Sequence, residues 1–129
     1  MELDYIENVN GLEQNIVRLY NFNKAEAIQF RELIKETIIT KRQKLDLSQV
    51  DFIIPRNCNL IFGLFKSDEG IITQDNKTLF CVLTLDSFKQ MVALIEPFCL
   101  KESKGYQYLY DVDNPTDLLF CPTASLIEE

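Results

Sequence analysis

The sequence predicts one α+β domain over residues 1–129, with a mainly antiparallel sheet in a single layer that is packed by two helices. Three observations give this prediction. Two stretches with helical spacing stand among several strand-like stretches, which turn signals separate at hairpin distances. The length of 129 residues fits one domain. Strands and helices also alternate too rarely for a doubly wound parallel sheet.

The first two predicted strands form a hairpin. Residues 2–9 and 15–20 each show a period of two between apolar and polar side chains. Asn10-Gly11, which lies between them, is a strong turn signal. We therefore expect the two stretches to pair with each other.

The first predicted helix covers residues 24–42. Asn23, followed three residues later by Glu26, has the pattern of a capping box, in which side chains satisfy the free N–H groups of the first turn. Apolar side chains then recur at steps of three and four, which gives the helix one apolar stripe. These residues are Ala27, Phe30, Leu33, Ile34 and Ile38.

Turn signals divide the middle of the chain into strands. Residues 51–54 predict a strand that stops at Pro55 and forms a hairpin with residues 58–66. A short strand follows at 70–73. Residues 78–85 predict a central strand, because a nearly continuous apolar run indicates burial on both faces.

The second predicted helix covers residues 87–96. Asp86 or Ser87 caps it, and Pro97 should end or kink it. The helix is apolar nearly all round, so it is either buried among other elements or exposed at an interface. The second alternative is a homodimer formed through this helix.

Residues 106–110 predict a strand in which Tyr106, Tyr108 and Tyr110 share one face, and residues 118–121 predict the last strand. Two interpretations of the three phenols stay open. Aromatic side chains fit the half-buried surface of a sheet, which makes them part of the core. Tyr is also enriched at interface hot spots, which makes the face a contact site for a partner.

The loop after this strand carries Asp111, Asp113 and Asp117, which would form an acidic rim beside the phenols. Their spacing resembles that of a calcium loop. However, Pro115, Thr116 and Pro122 stand where such a loop needs a ligand, a glycine and a glutamate. A turn in which Asp and Asn bond their own backbone explains the loop better.

Charge and hydropathy exclude two classes of partner. The formal charge is −7 and the chain has no basic run, so we expect no nucleic-acid binding and favour a protein partner with a basic surface. No apolar run approaches the ~20 residues that a membrane-spanning helix needs. The N-terminal residues also lack the pattern of a secretory signal, so the predicted location is cytoplasmic.

The sequence offers no recognisable catalytic, metal or cofactor site. The chain has no His, its four Cys stand apart in apolar surroundings, and it has no glycine-rich phosphate loop. We therefore expect no cofactor and a non-catalytic interaction module, of the kind that inhibits or neutralises a basic protein. The alternative is a small enzyme or small-molecule binder with a pocket near residues 106–117.

Several stretches together resemble a group of short, uncharacterised proteins from Bacteroidetes-type bacteria. They are Tyr5-Ile6-Glu7-Asn8, Asn15-Ile16-Val17-Arg18-Leu19-Tyr20, Asn57-Cys58-Asn59-Leu60, Ile95-Glu96-Pro97-Phe98-Cys99 and Gly105-Tyr106-Gln107-Tyr108-Leu109-Tyr110-Asp111. The resemblance covers nearly the whole chain. It implies a small bacterial cytoplasmic protein and brings no activity, cofactor or site with it.

Overall fold

The computed structural model describes residues 1–9, 11 and 13–123, and its first element is the hairpin expected from the sequence. Strand β1 (Glu2–Val9) pairs antiparallel with β2 (Gln14–Tyr20). The alternation decides which face is inside: Leu3 and Tyr5 are buried in the core together with Val17 and Leu19. The prediction of this hairpin is confirmed.

Helix α1 (Lys24–Leu33) begins at the predicted capping box. The Glu26 N–H donates to Asn23 Oδ1 at 2.9 Å, and the Asn23 N–H donates to Glu26 Oε1 at 3.3 Å. Beyond Leu33 the helix widens into a π-helical segment, Ile34–Thr40. The predicted apolar stripe faces the core, where Phe30, Ile34 and Ile38 are fully buried.

Seven further strands follow in the described part of the chain. They are β3 (Leu45–Asp46), β4 (Ile54–Pro55), β5 (Asn59–Leu64), β6 (Gly70–Thr73), β7 (Thr78–Leu83), β8 (Gln107–Tyr108) and β9 (Thr116–Cys121). The first sheet has the order β4-β1-β2-β9-β8, and the second has the order β3-β5-β7-β6. A 3-10 turn, Leu47–Gln49, follows β3.

The α+β class is confirmed, but the single, mainly antiparallel layer is wrong. There are two sheets, and both mix parallel and antiparallel pairs. Strand β9 lies parallel to β2 along its full length, although about 100 residues separate them in sequence. Turn signals report only pairings between neighbouring strands, so they favoured hairpins and missed this one.

The hairpin predicted between residues 51–54 and 58–66 is also wrong, because these residues join different sheets. Strand β4 lies parallel to β1, where the Ile54 N–H donates to Met1 O at 2.9 Å and the Arg56 N–H donates to Leu3 O at 2.8 Å. Pro55 lies between these two donors. It therefore belongs to the strand, at a position that needs no N–H.

Strand β7 is central, as predicted, but it is buried on only one face. It lies between β5 and β6. Leu79, Cys81 and Leu83 are fully buried, whereas Phe80 is 42% exposed. The continuous apolar run therefore reflects a core face and an apolar outer face.

Helix α2 (Leu85–Leu100) is longer than predicted at both ends. Thr84 caps it, in place of Asp86 or Ser87, by accepting from the Ser87 N–H at 3.2 Å. The helix continues through Pro97, which is exposed, as is Ala93 one turn earlier. Because the Ala93 carbonyl that loses its partner lies on the solvent side, the cost of Pro97 is reduced.

Six phenylalanines join the helices to both sheets. Phe120 of β9 contacts Phe22 (ring centroids 4.2 Å apart), Phe30 of α1 (5.8 Å) and Phe98 of α2 (5.1 Å). The chain of contacts continues from Phe30 to two phenylalanines at the second sheet, Phe62 of β5 and Phe88 of α2. One core therefore serves both sheets.

Candidate binding cleft and aromatic–acidic patch

The three predicted phenols do not share one face. Regular pairing covers only β8, and then Leu109 and Tyr110 are buried in succession, which breaks the alternation. Tyr106 and Tyr108 are 50% and 39% exposed, whereas Tyr110 is 8% exposed. The contact-face interpretation thus fits Tyr106 and Tyr108, and the core interpretation fits Tyr110.

The Tyr110 hydroxyl connects the two sheets. It accepts a hydrogen bond from the Ile71 N–H of β6 at 3.2 Å and donates to the Thr116 carbonyl at the start of β9. Burial is the main reason why the pKa of Tyr110 is raised well above its usual value. The neutral phenol is therefore the form present, and its role is structural.

Asn114 fixes the acidic loop against the edge of β6. Its amide donates to Glu69 O at 2.8 Å and to Ile71 O at 3.2 Å, and its Oδ1 accepts from the Thr116 N–H at 2.8 Å. Gly70 makes room for it, because a Cβ on Gly70 would lie 2.9 Å from the Asn114 amide nitrogen. The loop is thus anchored, and carbonyl groups along the sheet edge are covered.

Tyr106 and Tyr108 form an exposed aromatic pair. Their ring centroids are 5.8 Å apart and the rings meet edge to face. Tyr108 is paired with Leu119 of β9, so its backbone is fixed to the first sheet. Tyr108, Asp111 and Asp117 line one concave surface, and Asp113 follows Asp111 in the adjoining loop. We name the set of Tyr106, Tyr108, Asp111, Asp113 and Asp117 the Tyr–Asp patch.

The patch carries negative charge without a matching cation. Asp111 and Asp113 are exposed, Asp117 is half-buried on β9, and none of them forms a salt bridge within residues 1–9, 11 and 13–123. Burial raises the pKa of Asp117, and the carboxylate of Asp111 raises it further. Burial also raises the pKa of Tyr108, with Asp117 as the next cause. A bound cation would relieve this unfavourable concentration of charge.

A cleft of about 650 Å³ opens beside the patch, between α2 and the segment 107–111. Helix α2 lines it with Ser87, Gln90 and Leu94, and Asp117 completes the wall. The volume lies in the ordinary range of ligand sites, roughly 300–1,000 Å³. The alternative prediction placed a pocket near residues 106–117, and the cleft lies there.

The sequence missed the contribution of α2 to this cleft. Gln90 is one of the few polar residues on an otherwise apolar helix, and that contrast was the available signal. Ser87 was expected only as a possible helix cap. Its hydroxyl instead donates to Asp68 Oδ2 at 2.8 Å, a contact between residues 19 apart that no local pattern reveals. Among the described residues, no cluster of three or more His, Cys, Asp or Glu could hold a metal ion.

A second concave surface lies between α1 and residues 44–52 and has a volume of about 840 Å³. Of the four carboxylates that line it, those of Glu32, Glu36 and Asp46 are already engaged. Glu32 Oε2 is 2.8 Å from Arg31 Nε, and Glu36 Oε2 is 3.6 Å from Lys41 Nζ. The Asp46 carboxylate accepts hydrogen bonds from the Ser48 N–H and the Asn59 side-chain amide. This groove is therefore less suited to a cation than the Tyr–Asp patch.

The raised pKa of Asp117 gives a pH-dependent prediction. The native state holds this proton more tightly than the unfolded state, so ionisation of Asp117 costs stability as pH rises through the folded pKa. We expect Asp117→Asn to raise the midpoint of thermal unfolding at pH 7. The gain should shrink at a pH of about 3, below the ordinary Asp pKa of about 3.9.

Thermal unfolding followed by circular dichroism at both pH values measures this effect. Asp113→Asn, at an exposed position in the loop before β9, is the matched control and should change stability by less than about 0.5 kcal/mol at either pH. A loss of stability in Asp117→Asn at pH 7 would show that the carboxylate has a favourable partner.

Comparison of the chain with protein-family models, curated proteins and solved structures gives no match. The resemblance to a bacterial family therefore stays a prediction. No helix within the described part of the chain is both long and apolar enough to cross a bilayer.

Proposed function

We propose that the protein is a non-catalytic interaction module that binds a basic surface of a partner protein through the Tyr–Asp patch. The observation that carries the proposal is the exposed pair Tyr106 and Tyr108 beside carboxylates that form no salt bridge with any other residue in the described ranges. The half-buried carboxylate of Asp117, next to Asp111, is the centre of this charge.

The chemistry of the patch favours an arginine or lysine side chain. An aromatic face attracts a cation within about 6 Å of its centroid, and a carboxylate adds a charge-assisted hydrogen bond. Tyr106 and Tyr108 also offer apolar area at little entropic cost, which is why Tyr is common at interface hot spots. The net charge of −7 would steer a basic partner towards the molecule.

The cysteines support the cytoplasmic location that the sequence predicts. Cys58, Cys81, Cys99 and Cys121 are all free and buried. Burial raises the pKa of Cys58 to about 12, so its thiol stays protonated and unreactive. Unpaired thiols fit a reducing cytoplasm, where disulfides are rare.

A fluorescent arginine-rich peptide tests the proposal. We expect it to bind the whole chain in a fluorescence anisotropy titration, with an affinity that falls as salt rises. Replacing Asp111 and Asp117 together by Asn should raise Kd at least about tenfold, which corresponds to about 1.4 kcal/mol. The double variant loses the charge but keeps the shape of both side chains.

The control variant removes the same charge elsewhere. Glu7 and Asp51 are exposed and lie outside the patch, so Glu7→Gln combined with Asp51→Asn lowers the net negative charge equally. This variant should change Kd by less than about twofold, since surface charges act weakly at a distance in salt. Equal losses in the two double variants would contradict the proposal, because only the net charge would then matter.

A second candidate function is the binding of a small molecule in the cleft between α2 and residues 107–111. Gln90, Gln107 and Asp117 give a cavity of about 650 Å³ several polar groups, which is typical of ligand sites. A thermal-shift screen of small amines and guanidines distinguishes the two, because a ligand selective for the native state raises the melting temperature. A compound that shifts melting and also displaces the arginine-rich peptide would favour the small-molecule function.

A further inference from the structure

The outer face of the second sheet has no charged side chain on β5, β7 or β6. Inward residues of these strands, such as Leu60 and Cys81, are fully buried, so the alternate positions point away from the core. We name these outward residues the neutral face. They are Asn59, Ile61, Gly63, Ile72, Thr78, Phe80 and Val82. A solvated sheet face is ordinarily polar, so this composition needs an explanation.

Apolar side chains form a row across the neutral face. Phe80 is paired in register with Ile61 on one side and with Ile72 on the other. Phe80 is 42% exposed and Ile72 is 47% exposed. The row thus projects from the middle of the sheet, and contiguous exposed apolar surface of this kind marks an interaction site.

A position without a side chain, which we call the hollow, lies diagonally beside the row. Gly63 of β5 is paired with Val82, the second residue after Phe80 on β7. No heavy atom lies within 4 Å of the position that a Cβ on Gly63 would take. The neutral face therefore carries a projecting ring and, diagonally beside it, a position with no side chain above the backbone.

We propose that the neutral face joins two copies of this chain in a twofold symmetric dimer. In a symmetric interface the same patch serves both partners, so Phe80 of each copy packs over Gly63 of the other. Both contacts come from one face, which explains why the ring and the hollow occur together.

Charge favours a second copy over a different partner. Two chains that each carry a net charge of −7 repel each other. The strands of the neutral face bring no charge of their own to such a contact. Asp75, which lines a concavity with Ile72 and Phe80, already accepts from the Lys77 and Thr78 N–H groups. At the border of the neutral face, the Asp46 carboxylate on β3 already accepts from Ser48 and Asn59. A basic partner, by contrast, would gain nothing from an uncharged face.

Analytical ultracentrifugation of the whole chain over a range of concentrations and at two salt levels tests the proposal. We expect a dimer that tightens as salt rises, because screening removes the repulsion between the copies. Binding of a basic partner at the Tyr–Asp patch should weaken with salt, so the two proposals succeed or fail independently.

Three variants locate the interface. Phe80→Glu should be monomeric. Gly63→Gln should weaken the dimer at least about tenfold by filling the hollow. It should not lower the stability of the monomer, since Gly63 has open space and its φ lies outside the left-handed region. Leu100→Glu is the matched control, because Leu100 is a 68% exposed apolar residue at the end of α2, and it should remain dimeric.

These measurements distinguish a dimer through the neutral face, a dimer through α2 and a monomer. A wild-type chain that is monomeric at every concentration overturns the proposal. A dimer that survives Phe80→Glu and Gly63→Gln but is lost in Leu100→Glu overturns it in favour of the α2 interface predicted from the sequence. If Phe80→Glu fails to fold, as judged by circular dichroism, the Gly63→Gln result alone decides.

Discussion

Phe120→Ala is expected to lower the free energy of unfolding by about 3–5 kcal/mol, the largest single effect that we predict. Phe120 is fully buried and contacts Phe22, Phe30 and Phe98. Removing its ring would leave a cavity between β9 and both helices. Because a domain of this size is stable by only about 5–15 kcal/mol, the variant would lose a large part of its stability.

Urea unfolding followed by circular dichroism measures this loss. Leu100→Ala is the control, because Leu100 is 68% exposed, and it should change the unfolding free energy by less than about 0.5 kcal/mol. A loss below about 1 kcal/mol in Phe120→Ala would mean that the Phe cluster does not join the sheets to the helices in the way described.

Tyr110→Phe is expected to lower the free energy of unfolding by about 1–3 kcal/mol, although it removes only one oxygen. The ring stays in place, but the Ile71 N–H and the Thr116 carbonyl both lose their contact with the hydroxyl. Buried polar groups without a partner keep the cost of their lost hydration. The effect should be concentrated where β6 meets β9.

Tyr106→Phe is the matched control for Tyr110→Phe. It removes the same atom from a phenol that is 50% exposed, so we expect a change below about 0.5 kcal/mol. Hydrogen exchange adds a local measurement, in which the Ile71 amide should lose protection in Tyr110→Phe. Equal stability of the two variants would contradict the structural role of Tyr110.

Local elements could be predicted from the sequence because their signals are local. The capping box at Asn23 and Glu26, the stripe from Ala27 to Ile38 and the turn signal Asn10-Gly11 each involve neighbouring residues. Asn10 itself lies outside the described residues. These signals determine the first hairpin and α1, and both are present. The bounds of α2 were less certain, because Thr84, Asp86 and Ser87 are all good N-cap residues.

The sheet arrangement could not be predicted, because it depends on contacts between distant residues. Strand β9 enters the first sheet beside β2 only after the chain has built the whole second sheet. Its apolar residues on both faces fit a central strand, but they do not identify its neighbours. Pro55 was misleading for a related reason, since only the partner strand shows that this position needs no N–H.

The exposure of the candidate site residues was predicted in part. Exposure of Tyr106 and Tyr108 beside the acidic loop agrees with the contact-face interpretation, whereas Tyr110 does not. The Tyr110 hydroxyl accepts from the Ile71 N–H, 39 residues away, and alternation along one strand carries no information about such a contact. The α2 wall of the cleft was missed for the same reason.

An NMR titration of the whole chain with the arginine-rich peptide tests the central claim most directly, because it reports on each backbone amide. If the Tyr–Asp patch binds a basic partner, shift changes will concentrate at residues 106–111, 113 and 117 and at Gln90 across the cleft. They should be nearly lost in the Asp111→Asn and Asp117→Asn double variant. Shift changes concentrated in the groove of residues 44–52, or spread evenly over the acidic surface, would contradict the claim.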